Sequence, residues 1–193
     1  MTKQIELFDQ LKQPVALFSE PLRIVSLVPS LTELIADGFG LTERVTGVTQ
    51  YCIHPAHIRE QAHVVGGPKS VDVEKVKSLR PHVVIASKEE NVQEQIREIE
   101  RFVPVFVTDV VDFSSALEAI TLLGNLLNVP EAAHKVRHKI KTVFSDYEPI
   151  QEDLSVAYLI WKDPLMTISS GTFIHEMLTF AGFTNVFESK GHR

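Results

Sequence analysis

The stretch from Arg23 to Leu34, RIVSLVPSLTEL, changes its hydrophobic period within a few residues. Ile24 to Val28 is a short β-branched and apolar run, which reads as a strand, and Pro29 ends it because proline lacks a ladder donor. Ser30 then stands three residues before Glu33, the spacing of a capping box, and opens a helix carrying Leu31, Leu34 and Ile35. Gly38 and Gly40 stop that helix, and RVTGVT from Arg44 to Thr49 predicts the next strand. Strand, helix and strand in this order form one unit of an α/β layer fold.

The same alternation continues downstream. Residues 50–70 are loop-like, punctuated by Pro55, Gly66, Gly67 and Pro68. Val73, Val76 and Leu79 share one face of a short helix that ends at Arg80-Pro81, since the residue before proline is pushed out of helical geometry. Val83 to Ala86 is wholly apolar, as expected of a strand covered on both faces. Val92, Ile96, Ile99 and Phe102 mark an amphipathic helix, and Val103 to Thr108 another strand. Two helices follow, Phe113 to Leu127 and Glu131 to Phe144, the second with Pro130 at its first turn. The strand pattern resumes in SVAYLIW, Ser155 to Trp161, followed by a helix from Phe173 to Ala181, Gly182 and a strand from Thr184 to Phe187.

The expected architecture is therefore α/β in two lobes joined by a long connector helix, the second lobe incomplete. Residues 1–112 form the first lobe, 113–150 the helical connector and 151–193 the start of the second lobe. About 40 residues bury too little surface to stand alone, so this last part must lean on the rest.

Composition narrows the function. With 19 basic and 25 acidic side chains among 193 residues, the net charge is −6, unlike the concentrated basic surface of a nucleic-acid binder. The single cysteine excludes an internal disulfide and a multi-cysteine metal site. Met1 to Leu17 shows no apolar stretch of export type, which leaves a cytoplasmic chain or a signal already removed. A phosphate loop, a dinucleotide-binding glycine motif and a nucleophile elbow are all absent. His175-Glu176 starts like a zinc protease helix, but position 179 is Thr, so the second histidine is missing.

Tyr51, Cys52, His54 and His57 crowd the loop after the second strand. In an open α/β sheet, ligands collect at the carboxyl ends of strands, so Tyr51 suits an aromatic wall. Cys52, His54 and His57 are of metal-ligand type, yet one short loop rarely closes a tetrahedral site alone; a half-buried Cys52 with His54-Pro55 as a turn is the favoured reading over metal ligation. His134 and His138 lie four apart on a helix whose neighbouring Lys135, Arg137, Lys139 and Lys141 read as a solvated stripe. Trp161, the sole tryptophan, suits either a core position or the wall of a cleft. Glu74 falls in the first turn of its helix, where its charge complements the helix dipole.

RIVSLVPSLTEL, VTGVTQYCIHP (Val45 to Pro55) and VGGPKSVDVEKVKSLRPHVVIA (Val65 to Ala86), in this order, resemble the substrate-binding proteins of ABC importers for vitamin B12 and iron–siderophore complexes. FDQLKQPVAL (Phe8 to Leu17) resembles that family's opening hairpin, and Tyr158 to Phe187 its second-lobe entry. The resemblance implies a receptor without catalytic residues, holding its ligand between two lobes joined by the helix at Glu131 to Phe144. It also implies no cofactor of its own, cobalamin or a metal chelate as the transported ligand, an ABC permease as partner, a monomer, and a periplasmic location. Tyr51 falls where cobalamin-binding relatives place an aromatic against the corrin, and Trp161 close to a second such aromatic. Cys52 and His54 accompany Tyr51 as ligand-side candidates. Pro68 and Ser87 stand where those relatives carry large aromatics, and Glu74 where they dock the permease. The alternatives are a cytoplasmic corrinoid-handling protein and a receptor for a ferric siderophore or other metal chelate. A ferric-siderophore receptor needs cations near the ligand, and only Arg59, Lys69 and Lys88 lie in candidate loops.

Overall fold

A computed structural model describes residues 6–16 and 23–190. Met1 to Ile5 and Leu17, parts of the N-terminal stretch read above, lie outside the described residues, as do 191–193. The chain forms two compact units. The first comprises residues 1–109 and 119–138, the second 110–118 and 139–193. The boundary does not follow the expected connector: helices Phe113–Leu126 and Pro130–Ser145 are each shared between the units.

The first unit is built on a five-stranded, wholly parallel sheet. Its strands, numbered along the whole chain, are β3 (Ile24–Ser26), β4 (Val45–Val48), β5 (His63–Val64), β8 (Val83–Ser87) and β9 (Val105–Thr108), in the spatial order β5-β4-β3-β8-β9. Successive strands are added to one side of β3 up to β5 and to its other side from β8 on, so the strand order reverses between β3 and β8. Alternate residues point to opposite faces, and both faces are covered, as the apolar runs imply. Val25, Leu27, Val84, Ala86, Val105 and Val107 pack into one core with Val76, Ile96 and Ile99. Ile24, Ile85 and Phe106, the alternate residues, are equally enclosed.

The helices of this unit are α1 (Pro29–Glu33), α2 (Ile58–Gln61), α3 (Val73–Ser78) and α4 (Gln93–Glu100). The capping box expected from Ser30 and Glu33 does not form. Pro29 takes the first turn and Val28 is the cap residue with no side-chain bond, so Ser30 is already inside the helix. Leu34–Gly38 then widens into a π-helical turn, with Phe39 N–H donating to the Leu34 carbonyl at 2.8 Å. Asp72 caps α3 by accepting from Lys75 N–H at 2.9 Å.

Residues 50–70, expected as loop, also contain α2, the edge strand β5, and the first arm of a tiny hairpin, β6 (Gly66–Gly67) with β7 (Ser70–Val71). The N-terminal hairpin is β1 (Glu6–Phe8) with β2 (Pro14–Ala16). Its turn is laced by Asp9, whose buried carboxylate accepts from Leu11 and Gln13 and, at 3.2 Å, from Val107 N–H in β9.

The second unit has α7 (Phe173–Phe180), the parallel pair β10 (Leu154–Val156) and β13 (Phe183–Asn185), and the antiparallel pair β11 (Leu159–Trp161) and β12 (Met166–Thr167). Ser155 to Trp161 is thus not one strand. Val156 gives its carbonyl to Val186 N–H, after which the chain leaves that ladder and Leu159 pairs with Thr167. Phe144 stacks on Phe113 at 4.3 Å and meets Phe180 at 4.7 Å, while the Glu176 carboxylate accepts from Phe113 N–H. His175-Glu176 is therefore a packing feature: His175 Nδ1 lies 3.4 Å from Asn185 Nδ2. No helix among the described residues is long and apolar enough to cross a membrane.

Candidate functional site

At the carboxyl ends of β4 and β8, three turns meet. The turn after β4 folds so that Tyr51 points outward, 59% exposed, while Cys52 is drawn inward and fully buried. Cys52 N–H donates to the Thr49 carbonyl, and its sulfur lies 3.2 Å from both the Thr32 and Thr49 hydroxyls. Cys52 was a ligand-side and metal candidate; its position corrects both readings, because hydroxyls of its own unit enclose the sulfur. His54 and His57 are exposed, and among the described residues no group of three or more His, Cys, Asp or Glu side chains is gathered in the manner a metal ion needs.

Beside Tyr51 runs the Gly66-Gly67 arm. Gly66 has φ +103, and a Cβ there would stand 2.3 Å from the Ser70 carbonyl oxygen; a Cβ on Gly67 would stand 3.5 Å from the Tyr51 ring. The glycines let the hairpin close under the ring. Tyr51, Gly67, Pro68, Lys69, Ser70, Glu89 and Glu90 line a surface concavity of about 370 Å³. Of the candidates read from the sequence, Tyr51 and Pro68 line this concavity.

The concavity is held together from below. Asn91, 7% exposed, donates from Nδ2 to the Pro68 carbonyl at 3.1 Å and the Leu27 carbonyl at 3.5 Å, and accepts from Ser87 N–H at 2.8 Å. It sits between β3 and β8, where the strand order reverses, the place where sheets of this kind open a crevice. Lys69 Nζ donates to the Glu89 carbonyl at 2.7 Å and ties the hairpin to the turn after β8. Burial raises the pKa of Glu90; its neighbour Glu89 adds to this and Lys69 opposes it. Sequence reading missed Asn91, Glu89 and Glu90 as site residues, since an Asn before a helix and a polar Glu pair look like ordinary cap and turn.

The remaining candidates lie elsewhere. Ser87 lines a different concavity, of about 500 Å³, with Leu11, Gln13, Asn91, Arg97 and Val107. Glu74 is exposed in the first turn of α3. Trp161, in the second unit, is 64% exposed and donates from Nε1 to the Asp163 carbonyl at 3.0 Å, which removes the core reading. It ends strand β11, in the antiparallel β11–β12 hairpin and not in the parallel β10–β13 pair.

Residues 24–193 match the periplasmic binding protein family. The chain belongs to that family. This family member is 32% identical over 185 residues to the uncharacterized ABC transporter substrate-binding lipoprotein YvrC of Bacillus subtilis, covering 88% of the chain and 57% of YvrC. It is 26% identical over 176 residues to a vitamin B12-binding protein of Photorhabdus laumondii, covering 89% and 63%. S. aureus IsdE, solved in complex with heme, superposes with a TM-score of 0.78 at 20% identity, covering 90% of this chain and 68% of IsdE. The chain therefore spans 57–63% of the length of these two sequence relatives. The α/β fold with only part of a second lobe, read from the sequence, agrees with these matches.

Proposed function

We propose that this chain is the substrate-binding component, or the larger part of one, of an ABC importer, and that its ligand is a corrinoid of the vitamin B12 class. The observation that carries the reading is Tyr51, a largely exposed ring beside the Gly66-Gly67 arm at the carboxyl end of a parallel sheet. Exposed aromatic rings on a preformed concavity offer broad apolar contact with a polar tip, which suits a flat macrocycle. A concavity of about 370 Å³ is at the small end for ligand sites, so a macrocycle lies against it rather than inside it.

In this reading Pro68 forms part of the floor and His54 flanks Tyr51, while Ser87 belongs to the neighbouring concavity. Trp161 serves as the second aromatic, from the second lobe. The receptor binds reversibly, catalyses nothing and carries no cofactor of its own. Glu74, exposed and acidic, docks on a basic socket of the permease, and the receptor works as a monomer. The family description and the lipoprotein among its relatives favour a place outside the cytoplasm; nothing in the comparisons favours a cytoplasmic role.

Fluorescence titration with cobalamin tests this directly, because Trp161 is the only tryptophan. Saturable quenching is expected, lost in Trp161→Phe, with heat still released on calorimetric titration. Tyr51→Ala weakens binding about tenfold, as truncating an aromatic anchor commonly does. Absence of both quenching and heat at high cobalamin concentration refutes the corrinoid reading.

A further inference from the structure

The concavity beneath Tyr51 has a definite charge. Its ionisable rim consists of one ammonium, Lys69, and two carboxylates, Glu89 and Glu90. Lys69 spends a proton on the Glu89 carbonyl at 2.7 Å. The other two loop cations are likewise committed within their own unit: Arg59 Nε donates to the Cys52 carbonyl at 3.3 Å, and Lys88 Nζ pairs with Asp109 at 2.5 Å. Lys88 is neutralised by its ion pair, while Lys69 keeps its charge and further donors, so the rim of Lys69, Glu89 and Glu90 carries one net negative charge. Ionised carboxylates, in contrast, only accept hydrogen bonds, so Glu89 and Glu90 seek N–H or O–H donors.

We infer that this rim is a charge filter: Glu89 and Glu90 admit a ligand edged with neutral amide donors and reject one edged with carboxylates or catecholates. The inference rests on the proposal that Tyr51 marks the ligand side of the unit, and it deepens that proposal by naming the chemistry of the ligand's edge. Like charges several ångströms apart near a protein surface repel modestly, and salt screens them. The filter therefore acts as a several-fold preference that depends on ionic strength.

The test compares cobalamin with its three isomeric monocarboxylates, in which one peripheral propionamide is a carboxylate, by calorimetry at neutral pH and low salt. At least one isomer is expected to bind about threefold to tenfold more weakly than cobalamin. That gap, read as the ratio of cobalamin to monocarboxylate affinity within each protein so that any change in cobalamin binding itself cancels, narrows in the Glu89→Gln/Glu90→Gln double variant and at high salt. Equal binding by all isomers, or a gap unchanged in the double variant, overturns the filter and leaves the corrinoid reading intact. If cobalamin fails to bind, the corrinoid reading falls, and the filter is judged by a neutral ferric hydroxamate against a trianionic ferric catecholate. A preference for the neutral chelate that fades in the double variant supports it. Preference for the trianion, or binding of none of these probes, overturns it.

Discussion

Asn91 joins three segments that are distant in sequence: the end of β3 through Leu27, the hairpin turn through Pro68, and the end of β8 through Ser87. Each of its side-chain atoms is committed, and the residue is buried, so no water replaces a lost partner cheaply. Asn91→Ala is expected to lower stability by about 2–3 kcal/mol, read as a fall in urea midpoint. Asn91→Asp separates the roles: it keeps the acceptor for Ser87 N–H but turns two donors toward carbonyls into a carboxylate, so it should cost at least as much. An Asp variant as stable as the parent would show that the two donated bonds contribute nothing. At this scale the sequence disclosed little. Tyr51 was legible because an aromatic after a predicted strand has few structural uses. Cys52 misled because burial depends on which way a single turn folds, and no periodicity encodes that. Trp161 is similar: a lone indole gives no hint of whether it faces a core or water.

Among elements, β3, β8 and β9 were readable because a strand covered on both faces must be apolar throughout, and such runs have few alternatives. The two-residue strands β5, β6 and β7 are shorter than any repeat and leave no pattern. The break between β10 and β11 escaped notice because both halves are rich in β-forming residues. A further element-level device is the N-terminal hairpin, which closes the open side of β9. Beside the Asp9 contact, Gln10 N–H donates to the Val107 carbonyl at 3.3 Å and Asp109 N–H donates to Gln10 Oε1 at 3.0 Å. An unpaired edge strand invites association with other chains, and this hairpin blunts it. Asp9→Ala removes the acceptor shared by Leu11, Gln13 and Val107. The expected outcome is faster hydrogen exchange at Val107 and Asp109 and a stability loss on the order of 1–2 kcal/mol. Unchanged exchange at both amides would mean that the hairpin is held by its apolar contacts, such as buried Val15, instead.

For the molecule as a whole, the two units differ sharply in how much they bury. The first encloses both faces of a five-stranded sheet, with Phe106, Ile24, Ile85 and Ile99 essentially free of solvent. In the second, among the described residues, only Leu117, Ile168 and Asn185 are buried, while Leu159, Trp161 and Leu165 are 55%, 64% and 71% exposed. Its packing runs as a chain of ring contacts from Phe113 to Phe144, Phe144 to Phe180 and Phe180 to Tyr147, with Phe180 and Tyr147 exposed, together with the Asn185 side chain bonded to the Ile168 carbonyl at 3.1 Å. Stability follows buried apolar area, so the second unit should open without unfolding of the first. Native-state hydrogen exchange is expected to show amides of β10, β13 and α7 protected at least about tenfold less than those of β3 and β8. Cobalamin bound through Trp161 would raise protection in the second unit selectively, since a ligand stabilises whichever state holds it. Uniform protection across both units without ligand would instead mean that the shared helices Phe113–Leu126 and Pro130–Ser145 bind them into one cooperative fold. A rise confined to the first unit would leave Tyr51 as the ligand contact and remove Trp161.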